Sequence, residues 1–220
     1  MFIKNIILSN KFKNFTLISL LLFCFVVVNA CSYVAAVSAN ISNNVFRLHV
    51  IANSDSNEDQ ALKYTVRDAV LEYVNSSTSS ATCKEELIEM LDLDAIREVA
   101  QETVYNNGYS YPVTVELGYF EFPTKIYGDI SLPAGFYDAL RVKIGSASGQ
   151  NWWCVMFPPL CFVDVSSGVV PDSSKEVLQD NLDTEGYDVI SEDTGEVKFK
   201  FKLIELLQNF RIELASLTNK

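Results

Sequence analysis

Residues 46–74 constrain the fold of this chain more than any other stretch. Their first part is a short apolar run with β-branched residues, which predicts a buried strand. A polar turn follows, and Ser56 then lies three residues before Asp59, an acidic variant of the capping box. After the cap, apolar residues recur at three- and four-residue steps along one helix face. They are Leu62, Val66, Ala69, Val70 and Tyr73. The stretch therefore predicts a strand, a polar loop and a capped helix.

This unit brings several polar side chains near one of its ends. They are His49, Asn53, Asp55, Asp59 and Arg67. One interpretation is a surface that a partner protein recognises. The other is structural, because carboxylates are favoured at a helix start and a helical Arg-Asp pair is ordinary surface chemistry. An exported hydrolase using His49 with Asp55 or Asp59 is the alternative function. His49 alternates with Arg47 and Ile51 inside an apolar run, which favours a hydrogen-bonding histidine over a catalytic base. We therefore predict no catalytic residue.

The N-terminus has the pattern of an export signal. Lys4, Lys11 and Lys13 precede an uncharged and largely apolar run, residues 15–39. Small residues at 37–39 offer a cleavage site, although the run is also long enough to anchor the chain in a bilayer. We expect residues 1–39 to be a signal peptide or signal anchor and residues 40–220 to be an extracytoplasmic domain.

Charge and composition limit the partners of that domain. The whole chain has a formal net charge of −11. Removing the three leader lysines leaves a domain with a net charge of −14. An acidic domain is repelled by phosphate backbones and anionic lipids, so we expect no nucleic-acid partner, and membrane contact only through an uncleaved leader. The chain has one His and no Cys-x-x-Cys spacing, which argues against a zinc site. We predict no metal and no cofactor.

The order of elements predicts one α+β domain with a mostly antiparallel sheet packed against helices. Residues 84–106 read as a helical region, broken near Leu91, with Asp94 capping its second part. Strands are expected from Pro112 and over 136–144, and residues 152–165 read as two short strands or a strand and a loop. The polar stretch 168–195 reads as partly mobile chain, and residues 196–217 as a C-terminal helix.

Two tryptophans and two cysteines stand out in residues 151–164. Adjacent strand residues face opposite sides, so Trp152 and Trp153 can serve the core and a partner surface separately. Cys154 and Cys161 would lie opposite each other if residues 156–159 formed a hairpin loop, whereas a two-residue Pro158-Pro159 loop would make a bridge hard to close. A disulfide and a pair of buried thiols both remain open.

Two segments resemble one known family. Residues 47–74 read RLHVIANSDSNEDQALKYTVRDAVLEYV, and residues 151–164 read NWWCVMFPPLCFVD. In that order they resemble the stage II sporulation protein R family of endospore-forming bacteria. The resemblance covers residues 41–165 and extends to the C-terminal helix.

The resemblance implies a protein secreted across the forespore membrane into the intermembrane space, or anchored there. It implies that the partner is a membrane-embedded aspartic protease in the mother cell, which then processes the sigma-E precursor. The chain would be an activator and not an enzyme, and the family pattern supplies no catalytic residues. As surfaces for the protease we predict the patch of His49, Asn53, Asp55, Asp59 and Arg67, or Trp152, Trp153 and the Pro158-Pro159 loop.

Overall fold

The structure, a computed structural model, describes residues 2–161, 170–191 and 195–218. The backbone divides into two units, residues 1–37 and residues 38–220. The second unit holds all of the β-strands in the described ranges and forms an α+β domain with a C-terminal helix, as predicted.

The first helix, α1 (Phe2–Asn44), carries the apolar N-terminal run. Within it, Phe12–Asn44 is long and apolar enough to cross a membrane, with a mean hydropathy of 2.4. Large apolar side chains such as Leu20, Phe23 and Phe25 are exposed along it. A signal sequence and a membrane anchor both have these properties, so α1 is typical of an exported or anchored protein.

The predicted strand, loop and capped helix are confirmed. β1 spans Phe46–Ile51 and α2 spans Asn57–Ser77. The hydroxyl of Ser56 accepts a hydrogen bond from the amide of Asp59 at 3.1 Å, which satisfies one of the free amides at the helix start. The turn between them is therefore set by its own polar side chains.

The remaining elements follow in chain order. They are α3 (Lys84–Met90), α4 (Leu93–Asn106), β2 (Val113–Phe122), β3 (Lys125–Tyr127), β4 (Ile130–Leu132), β5 (Gly135–Ile144), β6 (Asn151–Phe157), α5 (Asp172–Asn181), α6 (Thr184–Ser191) and α7 (Gly195–Thr218). The break between α3 and α4 occurs as predicted, but the cap is Asp92, which accepts from the amide of Ala95 at 3.0 Å. The prediction of Asp94 as the cap was wrong, because the second helix begins at Leu93, two residues earlier than that cap would require.

The main sheet has four strands in the order β2-β5-β1-β6. β1 lies in the centre, parallel to β5 and antiparallel to β6, and β2 pairs antiparallel with β5. A separate antiparallel hairpin joins β3 and β4. The mostly antiparallel sheet is therefore confirmed, with one parallel pair at its centre.

The core lies between α2, α4 and one face of the sheet. Alternate residues of β1, Phe46, Leu48 and Val50, are fully buried against apolar side chains of α2 and α4. Burying each such side chain stabilises the fold by about 1.5–3 kcal/mol. The opposite face carries Arg47 and His49, and here Tyr127 of the β3–β4 hairpin reaches Arg47.

In the C-terminal third, one expectation needs correction and one pair of alternatives is decided. The stretch 168–195 contains the helices α5 and α6, whose few apolar side chains, including Leu178, Val189 and Ile190, are buried. These helices were not predicted because the stretch is polar on average and contains few apolar residues. Of the two alternatives for residues 152–165, the described part fits a strand and a loop. Residues 158–161 form a turn after the cis Phe157-Pro158 peptide, and residues 162–165 lie outside the described ranges.

Candidate functional site

Three of the predicted site residues form one hydrogen-bonded junction between two loops. The Asn53 carboxamide accepts from the amide of Ser146 at 2.9 Å and donates to the Asp59 carboxylate at 2.8 Å. Ser54 also donates to Asp59, at 2.5 Å. Asp55 accepts from the amide of Gln150 at 2.7 Å. These side chains therefore hold the start of α2 against the loop between β5 and β6.

The second loop is shaped to receive the first. Gly145 has a φ of +58°, which favours glycine, and a Cβ there would collide with the Asn53 side chain. A Cβ on Gly149 would collide with the backbone of Ser54. The close approach of the two loops therefore depends on both glycines.

The junction also sets the charge state of Asp59. Burial opposes ionisation of this carboxyl, but the hydrogen bonds from Ser54 and Asn53 outweigh it and hold its pKa below the usual value. Asp59 is thus an ionised carboxylate that two donors stabilise. It is bound to neighbours in the loop and not to His49.

His49 lies on the other side of this region, within the sheet. Its side chain is 6% exposed, stacks on Trp153 with ring centroids 3.7 Å apart, and meets Phe122 edge-on. Its Nε2 lies 2.8 Å from Oδ1 of Asn151, while Nδ1 is buried and has no hydrogen-bond partner within the described ranges. Burial lowers the pKa of His49 to about 4, and nearby Arg141 also disfavours the charged ring. The histidine is therefore neutral at pH 7.

This geometry does not form the pair that the hydrolase alternative requires. Asn151 is the only side-chain hydrogen-bond partner of His49 among the described residues, and neither Asp55 nor Asp59 reaches the ring. A general base also needs an accessible substrate proton within hydrogen-bond reach, whereas the His49 ring is 6% exposed, with Nε2 bonded to Asn151 and Nδ1 buried. The contacts of His49 are those of a packed aromatic side chain.

Arg67 and Trp152 are half-buried and form a separate cluster on α2 and β6. The Arg67 guanidinium lies 4.3 Å from the centre of the Trp152 ring and 5.1 Å from that of Tyr64. Tyr64 meets Trp152 edge-on, with ring centroids 5.5 Å apart, and is 40% exposed. Arg67 also pairs with Asp68 at 2.6 Å. We call Tyr64, Arg67 and Trp152 the Arg–Trp cluster.

The two tryptophans diverge as their strand positions predict. Trp153 pairs with His49 and faces the polar side of the sheet, whereas Trp152 pairs with Val50 and faces α2. The predicted site residues therefore belong to three separate arrangements. These are the loop junction, the His49–Trp153 stack and the Arg–Trp cluster.

Cys154 and Cys161 form a disulfide, with Cα atoms 5.1 Å apart. The turn after Phe157 brings them together, and the amide of Leu160 donates to the carbonyl of Val155 across it at 3.1 Å. Such a bond persists in oxidising compartments, so it fits a protein that acts outside the cytoplasm. It also ties the Pro158-Pro159 turn to the end of β6.

Several residues that build this region were missed from the sequence. Arg47 is fully buried and donates to the Tyr127 hydroxyl at 2.9 Å, with its guanidinium 4.2 Å from the Phe122 ring centre. Lys63 is 2% exposed and donates to the carbonyl of Gln150 at 3.1 Å. A charged residue within an apolar strand was the available signal for Arg47. No signal in the sequence indicated the burial of Lys63, because its acceptor, the carbonyl of Gln150, lies 87 positions away.

Possible metal ligands are scattered over the fold. Across residues 2–161, 170–191 and 195–218, no three side chains of His, Cys, Asp or Glu converge on one point as metal ligands would. The carboxylates that approach the region, Asp55 and Asp59, are occupied by backbone and side-chain donors.

Comparisons with known proteins show which family this chain resembles. The family model described as "Stage II sporulation protein R" matches residues 42–167. The stage II sporulation protein R of Bacillus subtilis (strain 168) is 41% identical over 130 residues, which are 58% of this chain and 58% of the relative. The chain thus aligns with little more than half of that relative's length. No solved structure matches it.

The matched region contains the elements on which the site is built. It begins just before β1, includes the capped helix α2 and the whole four-stranded sheet, and ends after the disulfide. Neither description names an enzymatic activity. The chain belongs to the stage II sporulation protein R family.

Proposed function

We propose that this chain is an exported signalling protein of endospore formation. It is made in the forespore, crosses the forespore membrane, and activates a membrane-embedded aspartic protease of the mother cell. That protease then removes the pro-segment of the sigma-E precursor. The observation that carries this proposal is the family match over residues 42–167, because it covers both motifs and the sheet that joins them.

Two features support export. α1 provides an apolar stretch suited to a signal or an anchor, and the Cys154–Cys161 disulfide suits an oxidising environment. The predicted site residues support recognition over hydrolysis, since His49 packs against Trp153 and bonds to an amide. The function that fits best is a binding event outside the cytoplasm.

The Arg–Trp cluster is the surface that we assign to the protease. Arginine and tryptophan are enriched among residues that dominate binding energy, and Tyr64 beside them is exposed. The guanidinium is already held over the rings of Trp152 and Tyr64, so little side-chain entropy is lost when a partner binds. Asn53, Asp55 and Asp59 support this surface indirectly, by fixing the start of the helix that carries it.

A three-component reconstitution tests the proposal. The full chain, its cognate membrane protease and the sigma precursor are expressed together in a non-sporulating cell, and precursor shortening is followed by gel. Shortening should require all three proteins. Absence of shortening beside a folded and exported chain would refute the activator function.

Two matched variants test the surface. Arg67→Ala should reduce precursor shortening at least about tenfold, the effect of losing 1.4 kcal/mol of binding. Arg97→Ala removes an exposed arginine of α4, whose nearest acid is Asp94 at 3.7 Å, and should leave shortening unchanged. Equal activity of the two variants would exclude the Arg–Trp cluster as the contact.

A further inference from the structure

The strand β2 forms one edge of the four-stranded sheet, at the far side from β6. Its ten residues pair with β5 at every position without a register shift. In the part of the chain that the structure describes, no strand pairs with its other side. A long regular edge strand exposes a row of backbone donors and acceptors that another chain can pair with.

The side chain of Gln101 on α4 reveals which backbone groups face outward. Its amide donates to the carbonyl of Tyr111 at 2.9 Å, and its oxygen accepts from the amide of Val113 at 2.9 Å. In a strand, the amide and carbonyl of one residue point to the same side, and successive residues alternate. Beyond Val113, the outward groups are therefore those of Val115, Leu117, Tyr119 and Glu121.

These outward groups are open. Among residues 2–161, 170–191 and 195–218, none donates to or accepts from them, so Gln101 caps the start of the edge and leaves the rest free. Residues 115–121 also contain no Lys, no Pro and no bulge, which are common devices that protect an edge. Leu117 and Tyr119 are 40% and 61% exposed.

A cavity of about 370 Å³ adjoins this edge, between β2 and α3. Leu117, Tyr119 and Ile88 provide its apolar lining. In peptide recognition by strand addition, main-chain hydrogen bonds supply affinity and a pocket for alternate side chains supplies specificity. The β2 edge has both parts.

The charge around the cavity selects the occupant. Lys84 lies 2.8 Å from Asp138 and 3.9 Å from Glu85, while Glu89 is exposed nearby. One lysine among three carboxylates leaves a net charge of about −2, on a domain that is itself acidic. A second copy of this chain would bring the same negative charge, whereas Lys or Arg in a partner segment would be attracted.

We propose that the outer edge of β2, from Val115 to Glu121, binds an extended segment of another protein by strand addition. An apolar side chain of that segment fills the cavity beside Leu117, and flanking Lys or Arg residues lie near Glu85 and Glu89. This surface is separate from the Arg–Trp cluster, so the inference stands independently of which surface contacts the protease.

A pair of substitutions at one position isolates the backbone contribution. Tyr119→Pro removes an outward amide but leaves the hydrogen bonds between β2 and β5 in place, because proline is tolerated on an edge strand whose amide faces solvent. Tyr119→Thr removes the same aromatic ring, including its stack on Phe136, and keeps the amide. Thermal unfolding of both variants would verify that each is folded.

The probe is a phage-displayed library of random linear peptides, selected on the immobilised full chain in detergent micelles. We expect enriched sequences to carry an apolar residue flanked by Lys or Arg. A synthetic peptide from the selection should bind Tyr119→Pro at least about tenfold more weakly than Tyr119→Thr, which has lost the same part of the cavity lining. Glu85→Lys with Glu89→Lys should also weaken binding.

Three results would overturn the inference. They are selection of no peptide above an uncoated surface, equal binding to Tyr119→Pro and Tyr119→Thr, and enrichment of acidic sequences. A concentration-dependent dimer that peptides dissociate would show that a second copy occupies the edge instead. The protease is absent from these measurements, so their outcome is independent of the reconstitution assay.

Discussion

At the residue scale, the polar side chains on one face of β1 are as buried as the core. Arg47 and His49 alternate with Leu48 and Val50, yet both faces of the strand are covered. Their polar atoms are only partly satisfied, since Nε and Nη1 of Arg47 and Nδ1 of His49 find no hydrogen-bond partner among the residues that the structure describes. Unpaired buried polar groups cost free energy, so these two residues should control how stability responds to pH and substitution.

His49 should make the domain less stable in mild acid. Burial lowers its pKa to about 4, below the ordinary value of 6.5, so protonation favours the unfolded chain. Its contribution is present above pH 6.5 and is lost as the pH falls towards 4. Between pH 7 and pH 5 the free energy of unfolding should fall by about 2 kcal/mol. Urea unfolding of the full chain in detergent at the two pH values measures this.

The variant His49→Gln provides the control, because it keeps a polar side chain of moderate size without a titrating ring. Its free energy of unfolding should change much less between pH 7 and pH 5 than that of the wild type. A wild-type decrease that persists in full in His49→Gln would assign the pH dependence to other groups.

Arg47 should be replaceable by an apolar side chain. Its guanidinium is fully buried, and no carboxylate pairs with it among the described residues. Replacing a buried charge by a well-packed apolar residue is often neutral or stabilising. Arg47→Met should have a free energy of unfolding within about 1 kcal/mol of the wild type, or above it, whereas Arg47→Ala should lose about 2–5 kcal/mol to a cavity. A large loss in Arg47→Met would show that the charge itself is needed.

At the scale of elements, the capped unit of β1 and α2 organises the domain, and the disulfide fixes the end of β6. The cap was predictable because Ser56 and Asp59 are neighbours in sequence. The disulfide could not be decided from spacing, because it depends on the shape of the turn at Phe157-Pro158. The helices α5 and α6 were missed, since their apolar positions are few and gain meaning only from what they pack against.

The disulfide should contribute measurably to stability. It closes a loop of sequence separation 7, for which the loss of chain entropy in the unfolded state corresponds to about 2.5 kcal/mol. Cys154→Ser with Cys161→Ser should lower the free energy of unfolding by this order, as measured in urea. A reducing agent should destabilise the wild type equally.

Cys83 is the matched control for this experiment, because it is a free cysteine in the same domain. Cys83→Ser should unfold close to the wild-type midpoint and should remain sensitive to the reducing agent. The free energy of unfolding of the wild type would be measured again after the disulfide has been verified as reduced. An unchanged value would contradict a stabilising role for the disulfide.

At the scale of the whole molecule, an apolar N-terminal helix precedes a strongly acidic domain. The formal net charge of residues 40–220 is −14. Like charges on a compact domain repel one another, and salt screens this repulsion. The domain should therefore be more stable at physiological ionic strength than at low salt.

We expect the thermal midpoint of unfolding to rise by about 2–4 °C, or about 1 kcal/mol, when the salt concentration is raised from about 0.01 M to about 0.15 M. The variant Glu98→Lys with Glu102→Lys, on the exposed face of α4, should show a smaller rise because its net charge is less negative. A midpoint that falls with salt would indicate that attractive ion pairs outweigh the repulsion.

Sequence by itself determined the features that depend on neighbouring residues. These are the apolar N-terminal run, the strand and capped helix over residues 46–74, the α+β class, and the two motifs that indicate the family. The tertiary structure decided which distant groups meet. It paired His49 with Asn151, bound Asn53 and Ser146 together, and placed Arg67 over Trp152. Periodicity and capping are local properties of a chain, whereas these contacts depend on strand order and loop packing between segments about 85 to 102 positions apart.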